Sequence, residues 1–143
     1  MLIGINPVVG PDLLNILYRM GHGDELVLAD AFFPGDSCNS RVIRSDGVRI
    51  PALLDGILAL INLDYAVPDP VIMMSPMPGD THDPLVEKTF RGVIEKHYPE
   101  TPPTAYIDRF AFYERTKKAY AVLMTSEVVK YGCIILKKGV IPH

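Results

Sequence analysis

Residues 11–30 read PDLLNILYRMGHGDELVLAD and contain the two patterns that decide the fold. Pro11 suits the first turn of a helix and Gly21 ends it, which predicts a helix over residues 11–20. A short apolar run without alternation follows at residues 25–30 and is typical of a strand buried on both faces. A helix followed directly by such a strand indicates an α/β protein.

The same alternation of helices and strands continues along the rest of the chain. Further strands are predicted at residues 71–74, 104–108, 120–125 and 134–136, and helices at residues 51–61 and 111–119 and from Pro84 onward. Residues 42–44 and 48–50 flank a turn at residues 45–47, which predicts a small hairpin. We therefore predict an α/β fold with a mixed or mostly parallel sheet.

The composition excludes several classes of protein. The 143 residues suit one domain, residues 1–143, and 48% apolar with 22% charged residues excludes a disordered chain. The net charge of −3 argues against binding to nucleic acid or an anionic membrane, since phosphate groups need a basic surface. The high apolar content suggests that part of the surface is buried between subunits.

The cysteines and the N-terminus bear on the location of the protein. Cys38 and Cys133 show no C-x-x-C spacing, which favours reduced thiols in a cytosolic protein. No signal peptide is predicted, because no basic segment precedes an apolar stretch at the N-terminus. The longest apolar run, residues 56–61, is far shorter than the ~20 residues that span a bilayer. We expect a soluble, cytoplasmic protein.

Several reactive side chains follow or precede predicted strands. Ligands of open α/β sheets bind beyond the carboxyl ends of strands, where Asp30 and Arg109 are predicted. His22 lies between two glycines, which let a backbone approach a ligand closely. Tyr131 and Gly132 precede the last strand. Each residue also has an ordinary structural role as a turn, cap or surface residue, so singly these signals are weak.

Other kinds of site find no support in the sequence. There is no phosphate-binding loop, no dinucleotide-binding glycine motif, no nucleophile elbow and no H-E-x-x-H zinc motif. The spacing of His22, Asp24, Glu25 and Asp30 matches no established set of metal ligands. His82, His97 and His143 are interpreted as loop, helix-face and terminal residues.

Taken together and in order, several segments carry a resemblance to a known family. They are Met20-Gly21-His22-Gly23-Asp24-Glu25, Leu28-Ala29-Asp30-Ala31 with Phe33-Pro34, Ile43-Arg44 with Asp46-Gly47, Arg109-Phe110-Ala111-Phe112-Tyr113-Glu114-Arg115, Lys130-Tyr131-Gly132 and Ile134-Ile135-Leu136-Lys137-Lys138-Gly139-Val140. The chain resembles the ribose-pyranase/fucose-mutarotase family, and most closely its fucose mutarotase branch.

The resemblance implies a fold, an assembly and an activity. It implies a three-layer α/β/α subunit in a ring-based homo-oligomer, commonly a decamer, that interconverts the α and β anomers of L-fucose or a related aldose without metal or organic cofactor. The family's proton donor falls on His22, its sugar-binding aspartate on Asp30 and its arginine on Arg109. Its Tyr-Gly-Asn stretch falls on Tyr131, Gly132 and Cys133, where the cysteine departs from the family's asparagine.

The chemistry of anomer exchange fits these residue types. Opening the sugar ring removes a proton from the anomeric hydroxyl and adds one to the ring oxygen, and imidazole titrates near the working pH. The base is left open between Asp30, Tyr131 and a water. Tyr113 and Tyr120 are additional candidates, but packing in the core is the favoured role for both. Ribose pyranase and a non-catalytic sugar-binding protein on the same fold are the alternative functions.

Overall fold

Helices and strands alternate along most of the chain in the computed structural model, which describes residues 1–142; His143 lies outside the described residues. The strands are β1 (Glu25–Ala29), β2 (Val42–Ser45), β3 (Val71–Met74), β4 (Ala105–Ile107), β5 (Ala121–Thr125) and β6 (Ile134–Lys137). The helices are α1 (Pro11–Arg19), α2 (Gly35–Cys38), α3 (Ile50–Leu58), α4 (Pro84–His97) and α5 (Arg109–Lys118). Within residues 1–142, no helix is long and apolar enough to cross a membrane.

The six strands form one mixed sheet in the order β2-β5-β1-β6-β3-β4. Strands β2, β5 and β1 are parallel neighbours, as are β3 and β4. Only β6 runs in the opposite direction, between β1 and β3. The predicted α/β class with a mostly parallel sheet is confirmed, and the central strands are apolar on both faces as the sequence of β1 indicated.

Helices cover both faces of the sheet and make three layers. Leu26 and Leu28 of β1 pack in one core with residues of α1, α3 and α4, whereas Val27 and Ala29 pack in a second core with residues of α5 and the segment around α2. Residues alternate between faces along a strand, so β1 contributes to both cores. Full burial of each leucine stabilises the fold by roughly 1.5–3 kcal/mol.

Two local features differ from the sequence prediction. The predicted hairpin is wrong, because Ile50 opens α3 and β2 pairs in parallel with β5 instead. Pro51 explains the error, since proline suits the first helical turn and cannot donate to a sheet. The short helix α2 was not predicted. Gly35 packs closely beneath β5, and a Cβ atom at this position would lie 2.6 Å from the Met124 sulfur.

The strand directions give the sheet two chemically different edges. The carboxyl edge is where β1, β2, β3, β4 and β5 end and where the antiparallel β6 begins. The amino edge is the opposite one, where β1 begins and β6 ends. Loops that follow the parallel strands therefore meet the loop that precedes β6, and this meeting point positions the candidate site.

Candidate functional site

A cavity of about 200 Å³ lies at the carboxyl edge. Its lining combines ionisable, phenolic and apolar side chains: Asp30, Phe32, Phe33, Pro34, Met74, Met77, Arg109, Tyr113 and Tyr131. A larger hollow of about 460 Å³ lies at the N-terminal segment, but the side chains around it include no acid, base or tyrosine. The cavity at the carboxyl edge is the candidate site because it brings together three of the predicted residues, Asp30, Arg109 and Tyr131.

Asp30 is held at both carboxylate oxygens. Its Oδ1 accepts a hydrogen bond from the Phe32 N–H at 2.9 Å, and its Oδ2 accepts one from the Cys133 thiol at 3.2 Å. The Asp30 N–H donates to the Cys133 sulfur at 3.3 Å. Cys133 is buried, and this burial, aided by the Asp30 carboxylate, raises the pKa of the thiol well above its usual value. The thiol therefore stays protonated and lies behind Asp30 rather than lining the cavity.

Tyr131 adopts a left-handed backbone conformation with φ of 57°, which is uncommon for a residue with a side chain. Its hydroxyl donates to Asp80 Oδ2 at 2.6 Å and accepts from the Met77 N–H at 3.0 Å. The ion pair with Lys130, together with the Tyr131 hydroxyl, lowers the pKa of Asp80 to about 2. These contacts fasten the phenol ring over the cavity.

Gly132 follows Tyr131 and passes close to the preceding turn. A Cβ atom at this position would lie 2.8 Å from the Val129 carbonyl oxygen, closer than real contacts allow. The loop that carries Tyr131 to the cavity therefore requires glycine at this point.

Arg109 is the first residue of α5, a helix whose N-cap Asp108 accepts a hydrogen bond from the Ala111 N–H. The Arg109 Nε donates to the Tyr113 hydroxyl at 2.8 Å. Tyr113 also packs edge-on against Phe33, with 5.5 Å between ring centroids. Tyr113 thus has the packing role that the sequence predicted, and it lines the cavity as well.

His22 lies at the amino edge, apart from the other predicted site residues. It precedes β1, whereas Asp30 follows it, and the five residues of β1 span roughly 17 Å. The His22 Nε2 is 3.2 Å from Asp64 Oδ1, with 51% of the His22 side chain exposed and 6% of the Asp64 side chain. One chain therefore brings Asp30, Arg109 and Tyr131 together but leaves His22 outside their cavity.

Some residues around these sites were missed from the sequence. Met74 ends a buried strand. The rule that ligands bind beyond the carboxyl ends of strands, which selected Asp30, could therefore have selected Met74 too. Asp80 and Asp64 lie in loops and meet Tyr131 and His22 only through the tertiary fold, and no sequence pattern signals either pairing.

The cavity suits a small polyol with one apolar face. Asp30 offers carboxylate acceptors, Arg109 offers guanidinium donors, and a tyrosine hydroxyl can act as either. The rings and thioethers of Phe33, Met74 and Met77 supply the apolar part of the lining. Across residues 1–142, no group of three or more histidine, cysteine, aspartate or glutamate side chains is arranged to hold a metal ion.

The chain is similar to known proteins over nearly its whole length. The sequence model of the RbsD / FucU transport protein family matches residues 3–141. The L-fucose mutarotase of Actinobacillus pleuropneumoniae serotype 5b is 53% identical over 142 residues, which cover 99% of each protein. The L-fucose mutarotase of Haemophilus influenzae (strain PittGG) is 49% identical over 142 residues, with the same coverage.

Solved structures have the same architecture. The crystal structure of the fucose mutarotase in complex with L-fucose from Streptococcus pneumoniae matches with a TM-score of 0.93 and 48% identity, covering 99% of this chain and 100% of that chain. The structure of Bacillus subtilis RbsD complexed with D-ribose matches with a TM-score of 0.74 at 23% identity, covering 99% of each chain. The second likeness shows the fold alone.

Proposed function

The chain belongs to the RbsD / FucU transport protein family, and on that basis we propose that it interconverts the α and β anomers of L-fucose or a closely related aldose. It is an isomerase acting on a carbohydrate. The observation that carries the proposal is the cavity at the carboxyl edge, where Asp30, Arg109 and Tyr131 surround a space of monosaccharide size. Support comes from the similarity to L-fucose mutarotases and to a structure with L-fucose bound.

The reaction is a reversible ring opening. A proton leaves the anomeric hydroxyl, the bond between the anomeric carbon and the ring oxygen breaks, and the ring oxygen gains a proton. Rotation of the resulting aldehyde and closure on its other face return both protons and give the other anomer. A general acid and a general base each contribute ~10²–10⁴-fold to such a step.

We assign the base to Asp30. Its carboxylate lines the cavity, and an ionised carboxylate has oxygens that accept a proton and no hydrogen to donate. The Tyr131 hydroxyl donates its hydrogen bond to Asp80 and accepts one from Met77, so it orients the sugar. The two hydrogen bonds that Asp30 accepts leave further lone pairs of its carboxylate free to take a proton. Arg109 donates hydrogen bonds to sugar hydroxyls.

The proton donor is His22 of a second copy of the chain. His22 lies at the amino edge, too far from Asp30 of its own chain for both to reach one monosaccharide. A head-to-tail contact that joins the amino edge of one copy to the carboxyl edge of the next closes into a ring and completes each site. Exposed apolar side chains at both edges suit this contact: Phe32 and Phe110 at the carboxyl edge, Tyr65 and Val140 at the amino edge.

The remaining predicted residues act through the backbone and through Asp30. Gly132 allows the loop to bring Tyr131 to the sugar, and Cys133 holds Asp30 from behind. The assembly is a homo-oligomer, with a decamer as the size that the family resemblance implies. We place the enzyme in the cytoplasm, where its two free cysteines stay reduced, with residues 1–143 acting as one domain.

Exchange NMR on a panel of aldoses tests this function. The anomeric protons of L-fucose, D-arabinose, L-galactose and D-ribose are followed with and without protein, and spontaneous exchange in buffer is subtracted. We expect L-fucose to exchange fastest. Faster pyranose–furanose exchange of D-ribose would indicate a ribose pyranase, and sugar binding without any exchange would indicate a non-catalytic binding protein.

A further inference from the structure

The loop around His22 is built to hold this histidine in one place. The Gly21 N–H donates to Asp24 Oδ2 at 2.8 Å, and the Gly23 N–H donates to the Lys138 carbonyl at 2.8 Å. Gly23 has φ of +86°, a conformation that favours glycine. The backbone on both sides of His22 is therefore fixed to the rest of the amino edge.

Asp64 contacts the histidine ring from beneath this loop. Its N–H donates to the Lys137 carbonyl at 3.0 Å, which ties it to the end of β6. Its Oδ1 accepts from the Ala66 N–H at 2.9 Å and lies 3.2 Å from His22 Nε2. The Ala66 N–H, and secondarily the His22 ring, hold the pKa of Asp64 below its usual value, so that this carboxylate is ionised.

We propose that Asp64 is a positioning residue that accepts the Nε2–H of His22 and so directs Nδ1 outward to the sugar. This inference rests on the proposed role of His22. Protonated at Nδ1, the ring gives that proton to the sugar ring oxygen as the bond to the anomeric carbon breaks and its electron pair goes to that oxygen. The ring keeps its Nε2–H on Asp64 and recovers the Nδ1 proton when the sugar closes.

The geometry distinguishes this pair from an ordinary surface ion pair. Asp64 is anchored by backbone contacts that do not involve His22, whereas the half-exposed His22 ring has its Nε2 on Asp64. A fixed acceptor on one ring nitrogen decides which tautomer forms and which nitrogen faces outward. The pair therefore sets the direction of the ring.

The chain provides a matched control for testing this role. The His97 Nε2 lies 2.8 Å from Asp55 Oδ1, in a pair between α3 and α4 that is remote from the cavity lining. Asp64→Asn and Asp55→Asn each replace a histidine-bound carboxylate by an amide of the same shape. Only the first change is expected to affect the reaction.

The test combines NMR of the histidine rings with kinetics of L-fucose exchange. In protein labelled with ¹⁵N-histidine, we expect neutral His22 to be a single Nε2–H tautomer, and this preference to weaken in Asp64→Asn, because the amide oxygen that remains is a neutral and weaker acceptor. Asp64→Asn should lower the maximal exchange rate ~10–100-fold and change KM less than ~2-fold. Asp55→Asn should change neither quantity.

The outcomes separate this inference from the proposed function. Absence of exchange in the unmodified protein would refute the proposed function, while its ring spectrum still decides whether Asp64 fixes the tautomer. A mixture of His22 tautomers in the unmodified protein would overturn the inference even if Asp64→Asn failed to fold. Unchanged rates in a folded Asp64→Asn protein, alongside a slow His22→Ala protein, would overturn it too.

Discussion

The two edges of the sheet carry the two halves of the proposed site. The carboxyl edge gathers a carboxylate, a guanidinium and phenol hydroxyls around a cavity, whereas the amino edge presents a half-exposed imidazole beside a buried carboxylate. The proposed base and acid are separated by the length of β1. If the proposal holds, one folded chain therefore contains only half of the catalyst, and the chemistry depends on contact between copies.

The largest expected effects come from removing the imidazole at the amino edge or the carboxylate at the carboxyl edge. His22→Ala and Asp30→Asn should each lower the rate of anomer exchange at least ~10²-fold, because each removes one of the two groups that move protons. Exchange NMR measures the rates, and light scattering of each variant checks that the oligomer persists. A His22→Ala protein with a near-normal rate would assign the proton donor to another residue.

Mixing these two variants tests whether each site is shared between two copies. After co-refolding in equal amounts, about a quarter of the sites in a head-to-tail ring combine an intact Asp30 with an intact His22 of the next copy. We expect activity to return to about that fraction. No recovery in mixed oligomers would contradict a site shared between copies.

A smaller effect is expected from replacing Arg109 at the carboxyl edge. Arg109→Lys keeps the charge but loses the planar group that donates to Tyr113, and should weaken L-fucose binding roughly tenfold, or about 1.4 kcal/mol. Arg41→Lys is the control, since Arg41 stacks on Tyr120 at 4.0 Å outside the cavity lining. Titration calorimetry measures both affinities. Equal losses in the two variants would remove Arg109 from the sugar site.

Cys133→Asn should tighten sugar binding modestly, whereas Arg109→Lys should weaken it. Asp30 both donates to and accepts from Cys133, so an amide finds a partner for its N–H and for its oxygen. The stronger bonds should hold Asp30 more firmly and tighten sugar binding about 2- to 13-fold, equivalent to ~0.5–1.5 kcal/mol. Titration calorimetry and thermal melting test this. Unchanged affinity with a lower melting temperature would mean that the amide is buried unpaired.

The smallest expected effect concerns Asp80, which fastens Tyr131 at the carboxyl edge. The pKa of Asp80 is lowered from 3.8 to about 2, so its contacts favour the folded state above pH 3.8 and lose this effect as the pH falls towards 2. Asp80→Asn should therefore lower the melting temperature at neutral pH, and the difference from the unmodified protein should shrink between pH 4 and pH 2. A difference that stays constant across this range would contradict the assignment.

Local sequence signals predicted most of the elements but not every connection. Residues 71–74 form a strand as predicted, and α4 begins at Pro84 after its N-cap Asp83, because apolar runs and caps act locally. The four-residue α2 has no such signal, since it depends on the close approach of Gly35 to β5. Proline at position 51 could have been used against the predicted hairpin.

Part of the candidate site was predictable, because whether a residue precedes or follows a strand decides at which edge of the sheet it lies. Asp30 and Arg109 each follow a parallel strand, so the direction of the sheet brings them to one edge. The same argument could have placed His22 at the opposite edge, because it precedes β1 instead of following it, but the sequence prediction grouped it with the others. The partners Asp64 and Asp80 were beyond prediction, since both pairings join residues more than 40 positions apart.

The reversed direction of β6 lets one short loop bring Tyr131 to the cavity. Residues 126–133 leave β5 and enter β6 at the same edge, so the loop never crosses the sheet. Buried Glu127 anchors its start through the Ile50 N–H and Arg49, and Gly132 fixes its end. A substitution within residues 128–131 therefore alters the lining of the cavity near Tyr131 while both ends of the loop stay anchored.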